Sequence, residues 1–381
     1  MLLPSYSSSA ISWIGSLQGS LLLLLGMVAG PLFDAGYFRS LLATGTFLVV
    51  FGMFMVSLCT EYWQVLLAQG FCVGIGAGLL FLPSAAVLSQ YFSRRRAIAL
   101  GLQSVGSPLA GTVFPIVFSR LQPAVGFPWA TRALAFIILG LSAVPLAFLK
   151  PRLPPPTRKR AFIDFTALRD GPYMIYNSAS FLAYLGLYVP YFYIQLWAIR
   201  HGLTKDGGGG GGGGANFSSA YLVTLLNAGS IPGRVLPNLL ADYLAGGSVA
   251  VLGATALGAS VLAFGWLGIS SFGGVVAFAL LFGFFNGGVT SLPPSAIAAL
   301  TPDLSRLGTR MGMAFIFTGT AVLVGTPIGG AILRDDDSET SWRGLVAYSA
   351  ATLLGGATLY ATAHVTHVRK LKASGADAKK G

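Results

Sequence analysis

Long apolar stretches, separated by short polar or basic gaps, run along almost the whole chain. Each is long enough to cross the hydrocarbon core of a bilayer as a helix of about 20 residues. Backbone hydrogen bonds cannot be left unpaired in lipid, so these stretches must be helical. The pattern predicts an all-α polytopic membrane protein with about eleven transmembrane helices. The predicted spans are 10–30, 40–59, 63–88, 97–118, 128–149, 174–199, 219–241, 248–269, 271–293, 311–333 and 344–363.

Composition excludes the other broad classes. Only 9% of the 381 residues are charged and the mean hydropathy is +0.72, whereas a soluble domain carries about 25% charge. Two cysteines exclude a disulfide scaffold, and three histidines argue against a metal site. The net charge of +12 lies mostly in the short gaps, so nucleic acid is not a predicted partner. The lipid bilayer is one, and no cofactor or metal is predicted.

The distribution of lysine and arginine predicts the orientation, because basic loops stay in the cytoplasm. The basic gaps, including the linker before the sixth span, fall on one side together with the C-terminal tail. The C-terminus is therefore predicted to be cytoplasmic and the N-terminus outside, with the plasma membrane favoured over an internal membrane. The predicted domains are an N-terminal half 1–149, a basic linker 150–172, a C-terminal half 173–366 and a basic tail 367–381.

The two halves repeat each other at an offset of about 210 residues, as in transporters built from parallel repeats. Leu82 to Ala85 matches Leu292 to Ala296, Gly101 matches Gly312, and Asp34 matches Asp242. By this offset the counterpart of span 174–199 falls before Met1. The repeat therefore predicts five helices plus six, from a twelve-helix transporter that lacks its first helix here. A protein that naturally has eleven helices is the alternative.

Three stretches resemble motifs of the major facilitator superfamily. Residues 30–39 resemble the loop between its second and third helices, and 91–101 with the following Gly106, Ser107, Pro108 and Gly111 resemble its monocarboxylate-transporter branch. Residues 11–16 are similar to a segment that follows the first helix in fungal members. The resemblance implies the major facilitator fold and a secondary carrier. Members of the branch move carboxylates, many with protons, or carry riboflavin, or export fungal secondary metabolites.

Arg234 is the sharpest candidate for substrate binding. It lies about 15 residues into span 219–241, at a depth where an unpaired charge costs at least a few kcal/mol and is functional by default. A structural ion pair or a helix-end arginine is the alternative. The resemblance implies that Arg234 binds substrate. Family members often have an aspartate four residues earlier, where this chain has Ser230, which puts proton coupling by that pair in doubt.

Other polar and aromatic side chains share helix faces that could line a cavity. Tyr184 and Tyr188 lie roughly on one face of span 174–199 with Tyr191, and suit an aromatic substrate. Interfacial anchoring is the alternative for Tyr191 and Tyr193. The remaining candidates for substrate contact, each with a polar neighbour on its own face, are Gln103, Ser107, Asn227 and Asn286.

Charged helix ends are candidates for a gate. Asp34 and Asp242 lie at repeat-equivalent positions, each followed by a basic cluster; the clusters are Arg94, Arg95 and Arg96 in the first half and Arg306 and Arg310 in the second. Such pairs can form when a bundle closes and separate when it opens. Signalling of topology alone is the other interpretation. Asn216 begins a glycosylation sequon on the predicted outer side.

These observations favour a secondary transporter of a small organic anion, such as a monocarboxylate, that works by alternating access, with proton coupling left open. The alternatives are an exporter of a fungal secondary metabolite, a riboflavin-type carrier, or a truncated sensor that does not transport. A membrane enzyme is not predicted, because the spans hold no cluster of His, Asp or Glu.

Overall fold

The computed structural model describes residues 8–92, 96–152, 164–204, 218–244, 247–302, 306–333 and 338–377. Within these ranges the chain is almost entirely helical. A π-helical turn, Leu66–Val73, joins α4 to α5, and 3-10 turns cover Ala167–Arg169 and Trp266–Gly268. The α-helices are α1 (Ser8–Leu24), α2 (Gly26–Asp34), α3 (Phe38–Val56), α4 (Tyr62–Val65), α5 (Gly74–Tyr91), α6 (Arg96–Phe148), α7 (Gly171–Leu187), α8 (Val189–Arg200), α9 (Ala220–Tyr243), α10 (Gly247–Gly265), α11 (Phe272–Ser291), α12 (Pro293–Ala299), α13 (Leu307–Leu333) and α14 (Glu339–Asp377).

In the described part of the chain, nine helical stretches are long and apolar enough to cross a membrane. One of them, Ile98–Phe148, spans 51 residues and is a hairpin of two crossings. Gly126 breaks it with φ of +77°, a conformation that favours glycine. The residues that flank the hairpin on its two sides meet, since Tyr91 Oη donates to the carbonyl of Lys150 at 2.9 Å. The predicted spans 97–118 and 128–149 leave 119–127 as a loop. This prediction is wrong, because the helix continues almost to Gly126.

Helix α9 adds a further crossing, at the predicted span 219–241. It has 24 residues and is therefore about 36 Å long, but it carries Asn227, Arg234, Asn238 and Asp242. It packs between α11 and the first arm of α6. This places Asn227, Arg234 and Asn238 inside the bundle, whereas Asp242 at the end of the helix is exposed. With the hairpin counted as two crossings, the described ranges hold the five plus six spans that the sequence predicts.

The sixth predicted span, 174–199, is not a single helix. Helix α7 ends at Leu187, Tyr188 caps it, and α8 begins at Val189. Pro190 lacks an N–H and cannot continue the hydrogen-bond ladder of α7. Ser349 Oγ of α14 donates to the carbonyl of Gly186 at 2.8 Å, the acceptor that Pro190 leaves without its usual partner.

Glycines permit the close packing of α9 and α11. Gly229 and Gly233 of α9 pack against backbone carbonyls of α11, and Gly283 of α11 packs against the carbonyl of Leu226. A Cβ on Gly287 would lie 2.6 Å from the carbonyl oxygen of Ser230. The backbones of α9 and α11 are therefore nearly in contact, an arrangement that only small residues permit.

The two halves meet along two flanks that the internal repeat relates. On one flank α6 packs on α9, with Gly111 against Asn227 and Gly101 against the backbone of Arg234. On the other flank α13 packs on α1 and α2, with Val322 against Gly19 and Gly312 against Met27. Each contact on one flank has a counterpart on the other at the offset found in the sequence. The structure therefore has the two parallel-repeat halves that the sequence predicts.

Candidate functional site

Arg234 lies at the contact between the two halves. Its Nε donates to Ser230 Oγ at 3.3 Å, one turn earlier on α9. Its Nη1 donates to the backbone carbonyl oxygen of Ser104 on α6 at 3.0 Å. Among the described residues, no carboxylate oxygen lies within 4 Å of the guanidinium. The interpretation as a structural ion pair therefore finds no acidic partner among the described residues.

Tyrosines from the break between α7 and α8 surround the same region. The rings of Tyr184 and Tyr188 are 6.3 Å apart and those of Tyr188 and Tyr191 are 6.1 Å apart, both edge to face. All three tyrosines lie in the same part of the bundle as Arg234. The expectation that they share one face is correct, and Tyr191 lies in the bundle rather than at the membrane interface. A guanidinium beside aromatic rings suits a planar anion.

Two of these tyrosines are fixed by backbone carbonyls of the second half. Tyr184 Oη donates to the carbonyl of Val289 at 3.3 Å, and Tyr191 Oη donates to the carbonyl of Leu226 at 3.4 Å. Tyr184 is only 5% exposed. The hydrogen bonds hold the phenol rings in place, so the aromatic wall is preorganised.

The other residues predicted to contact substrate make hydrogen bonds elsewhere in the bundle or are exposed. Asn227 donates to its own helix at Val223 O and packs on Gly111, whereas Asn286 is buried and donates to Leu187 O at the α7–α8 break. Gln103 Nε2 donates to Ser84 Oγ at 2.8 Å on α5. Ser107 is exposed. The structure thus brings together Arg234, Ser230, Tyr184 and Tyr188, and uses Gln103 and Asn286 to join helices.

A group of hydroxyls joins the halves on the α1–α13 flank. Ser12 Oγ and Tyr193 Oη are 2.7 Å apart, Tyr193 Oη donates to the carbonyl of Thr326 at 3.1 Å, and Ser16 Oγ hydrogen-bonds Thr326 Oγ1. All four residues are buried. Sequence reasoning missed this group, although Ser12 and Ser16 belong to the stretch 11–16. Tyr193 is therefore part of the interface between the halves and not a membrane-interface anchor.

Arg310 binds the linker. Its Nε lies 3.2 Å from Asp164 Oδ2 and its Nη1 lies 3.1 Å from Asp170 Oδ2. Its guanidinium also lies over the ring of Tyr173, with 5.3 Å to the centroid. Lys370 of α14 completes the network at 2.9 Å from Asp170 Oδ1. These ion pairs fasten the described end of the linker to the second half.

Arg306 also binds the linker, with Nη1 3.3 Å from Asp164 Oδ1. Burial alone would raise the pKa of the Asp164 carboxyl. Hydrogen bonds from Thr166 and Arg310, together with the Arg310 charge, hold that pKa below its ordinary value of 3.8. Asp242 is exposed at the end of α9, and in the described ranges no cation lies within 4 Å of it. In this conformation both arginines pair with the linker instead, so a gate between them and Asp242 stays a prediction.

A family model described as the Major Facilitator Superfamily matches residues 4–270. The chain belongs to the Major Facilitator Superfamily. It is therefore a multi-pass membrane transporter. The superfamily fold that the sequence motifs imply is confirmed.

Two similar relatives come from the fungus Emericella nidulans. The chain is 44% identical to the MFS-type transporter dbaD of Emericella nidulans over 91% of its own length and 75% of that protein. It is 34% identical to the aspyridones efflux protein apdF of the same fungus, over 94% of its own length and 70% of that protein. The expectation of a fungal superfamily transporter is thus supported at the level of these relatives.

Solved structures of superfamily transporters share the fold. The Escherichia coli fucose:proton symporter FucP matches with a TM-score of 0.61 over 93% of this chain and 97% of that chain, at 16% identity. The human organic anion transporter MFSD10 matches with a TM-score of 0.60 over 93% of this chain and 83% of that chain, also at 16% identity. At this identity the likeness supports the architecture and not the substrate.

Several predicted residues lie outside the described structure. Arg94, Arg95 and Asn216 fall outside the described ranges, and the side chains of Asp34 and Arg96 are not described. The gate in the first half and glycosylation at Asn216 therefore stay predictions.

Proposed function

We propose that this superfamily transporter exports a planar organic anion, of the kind found among fungal secondary metabolites, by alternating access. Arg234 carries the proposal. It is a guanidinium at the contact between the halves, without a described acidic partner, beside a wall of tyrosines. The efflux named for the relative apdF supports export over import. A simple monocarboxylate is the smallest ligand of the same chemistry.

The site also bears on coupling. Ser230, which is 1% exposed, accepts a hydrogen bond from Arg234 and has no ionisable proton to exchange at neutral pH. We propose that anion transport depends only weakly on pH, since no carboxylate occupies the position one turn before the arginine. The proposed location is the plasma membrane, with the C-terminus in the cytoplasm.

Counterflow in proteoliposomes tests the proposal. Purified protein is reconstituted with unlabelled 2-naphthoate inside, and the entry of labelled 2-naphthoate is followed at several pH values. A carrier exchanges the two pools without net flux, whereas a sensor that does not transport shows no exchange. Uncharged 2-naphthamide serves as the control ligand. Equal exchange of the amide would remove the anionic part of the proposal.

Arg234 variants give the decisive comparison. Loss of a charge-assisted hydrogen bond costs about 1.5–3 kcal/mol, roughly a 10- to 150-fold loss of affinity. Arg234→Ala should therefore abolish exchange, while Arg234→Lys keeps a point charge and should leave weakened exchange. Folded protein is measured by monodisperse elution from a sizing column. Full exchange by Arg234→Ala would show that the anion binds elsewhere.

A further inference from the structure

A proline leaves the carbonyl that binds Arg234 without its hydrogen-bond donor in the helix. In an α-helix, each carbonyl accepts from the N–H four residues later. For Ser104 that residue is Pro108, which has no N–H. The guanidinium of Arg234 takes the place of the missing donor, across the interface between the halves, at 3.0 Å.

The same device occurs twice more in this structure. Pro293 leaves the carbonyl of Val289 without its helical donor, and Tyr184 Oη donates to it. Pro190 does the same for Gly186, whose carbonyl accepts from Ser349 Oγ. Each time, a side chain from another helix donates to the carbonyl that the proline leaves. At Ser104 alone among these three, the donor is charged and comes from the opposite half.

Backbone packing keeps this contact in register. A Cβ on Gly101 would lie 3.2 Å from the carbonyl oxygen of Arg234, and one on Gly111 would lie 2.5 Å from Asn227 Oδ1. Helices α6 and α9 therefore touch above and below the guanidinium, and Pro108 is buried at this contact. A ligand anion that takes the Nη1 hydrogen now donated to Ser104 competes with that carbonyl.

We propose that Pro108 is a positioning residue that makes the carbonyl of Ser104 a resting acceptor for Arg234, and that a substrate anion displaces it to release α6 from α9. Substrate binding then breaks a hydrogen bond between the halves, which couples occupancy to the rocking motion. This inference rests on the proposed function, in which Arg234 binds the anion.

Pro108→Ala tests the idea directly. Alanine restores an N–H at position 108, which would bond the carbonyl of Ser104 within α6 and deprive Arg234 of its acceptor. Alanine is the better helix former, so the variant is expected to fold. Pro145→Ala is the matched control, because it removes the same ring from the second arm of α6, far from α9.

The readout is the distance between the halves. Spin labels are placed through Tyr37→Cys and Tyr243→Cys, in a background of Cys59→Ser and Cys72→Ser. Both tyrosines are more than half exposed, at 58% and 85%, and lie at the predicted cytoplasmic ends of opposite halves. Pulsed electron paramagnetic resonance then gives the distance distribution with and without 2-naphthoate.

Without ligand, Pro108→Ala should raise the ratio of separated to closed molecules by about tenfold or more, as expected for a lost charge-assisted hydrogen bond. Pro145→Ala should match the parent protein. The double variant with Arg234→Ala should equal Arg234→Ala alone, because the proline acts through the arginine. An unchanged distribution in Pro108→Ala, or additive effects in the double variant, would overturn the inference.

The ligand measurement separates this inference from the proposed function. In the parent protein, 2-naphthoate should produce the separated population that Pro108→Ala shows without ligand. If the anion is exchanged in proteoliposomes but leaves the distances unchanged, the displacement is wrong while the transport proposal stands. If the anion is not exchanged but Pro108→Ala separates the halves, Pro108 positions Arg234 and the anionic substrate is wrong.

Discussion

Arg310 shows how one side chain fixes the relation of the linker to the second half. It is 7% exposed and lies between Asp164 and Asp170, which are 6% and 9% exposed. It also donates to the carbonyl of Leu300. A buried ion pair is not necessarily better than apolar packing, but removal of one partner leaves the other charge buried and unpaired.

Arg310→Ala should therefore destabilise the protein by up to about 3–5 kcal/mol, because Asp164 and Asp170 lose their buried partner and keep only Arg306 and Lys370, which are about half exposed. Arg306→Ala is the control. Its side chain is 51% exposed, so loss of its ion pair should cost at most about 1 kcal/mol. Thermal unfolding of both variants in the same detergent makes the comparison, and equal shifts would refute the assigned difference.

The lowered pKa of Asp164 predicts a dependence on acid. A carboxyl with a folded-state pKa below its unfolded value of 3.8 contributes stability that is present above that value and is lost as pH falls through the folded pKa. The thermal unfolding midpoint of the parent protein should therefore decrease when the pH is lowered below about 4. Asp164→Asn should show a smaller fall, whereas Glu339→Gln, which alters an exposed ion pair with Arg343, should follow the parent. Identical acid profiles of Asp164→Asn and the parent would contradict this assignment.

At the scale of elements, glycine contacts make α9 and α11 into one unit. Gly233 lies directly before Arg234 and packs against the backbone of Phe284. The close approach fixes the position of the α9 backbone at the arginine. Side chains larger than glycine at these contacts would push the two helices apart and move the guanidinium with them.

Gly283→Ala should destabilise the protein by about 1–3 kcal/mol or more, because a Cβ there would overlap the carbonyl of Leu226. Gly140→Ala is the matched control, since nothing lies within 4 Å of a Cβ at that position. Alanine in that exposed helix position should be neutral or stabilise by up to about 1 kcal/mol. Unfolding midpoints decide, and tolerance of alanine at 283 would show that the helices can separate at little cost.

At the scale of the whole molecule, the two flanks place Arg234 between the halves. The hydroxyls of one set of residues join the halves on the α1–α13 flank: Ser12, Ser16, Tyr193 and Thr326. Arg234 lies on the α6–α9 flank. Both flanks are closed in this structure. The proposed alternating access requires that both flanks part at one membrane face at a time. Hydrogen bonds between uncharged or singly charged groups suit this motion better than a buried ion-pair network would.

The orientation in the membrane is a prediction from charge that tags can test. Epitope tags in 206–216 should be reached from outside intact cells, whereas tags in 150–163 and after Gly381 should be reached only after permeabilisation. As a control for surface staining, an epitope tag in the extracellular part of a known plasma-membrane protein should be reached in the same intact cells. Staining of the C-terminal tag and the 206–216 tag from the same side would contradict the five crossings that the prediction places between them.

The sequence alone determined much of the architecture, because lipid allows few solutions. Apolar runs of about 20 residues must be helices, and the repeat offset predicted two related halves. Arg234 was identifiable from depth and charge, since an arginine in a membrane span needs a reason.

Tertiary structure decided what each polar group contacts, because those partners are distant in sequence. No local pattern shows that Ser104 accepts from Arg234, 130 residues away, although Pro108 marks the unpaired carbonyl. Nor does the pattern show that Arg310 binds Asp164 and Asp170 of the linker. Periodicity determines which residues face inward, but the partner of an inward polar group depends on how whole helices lie beside each other. The sequence therefore set the helices and their repeat, and the packing of the two halves decided the site.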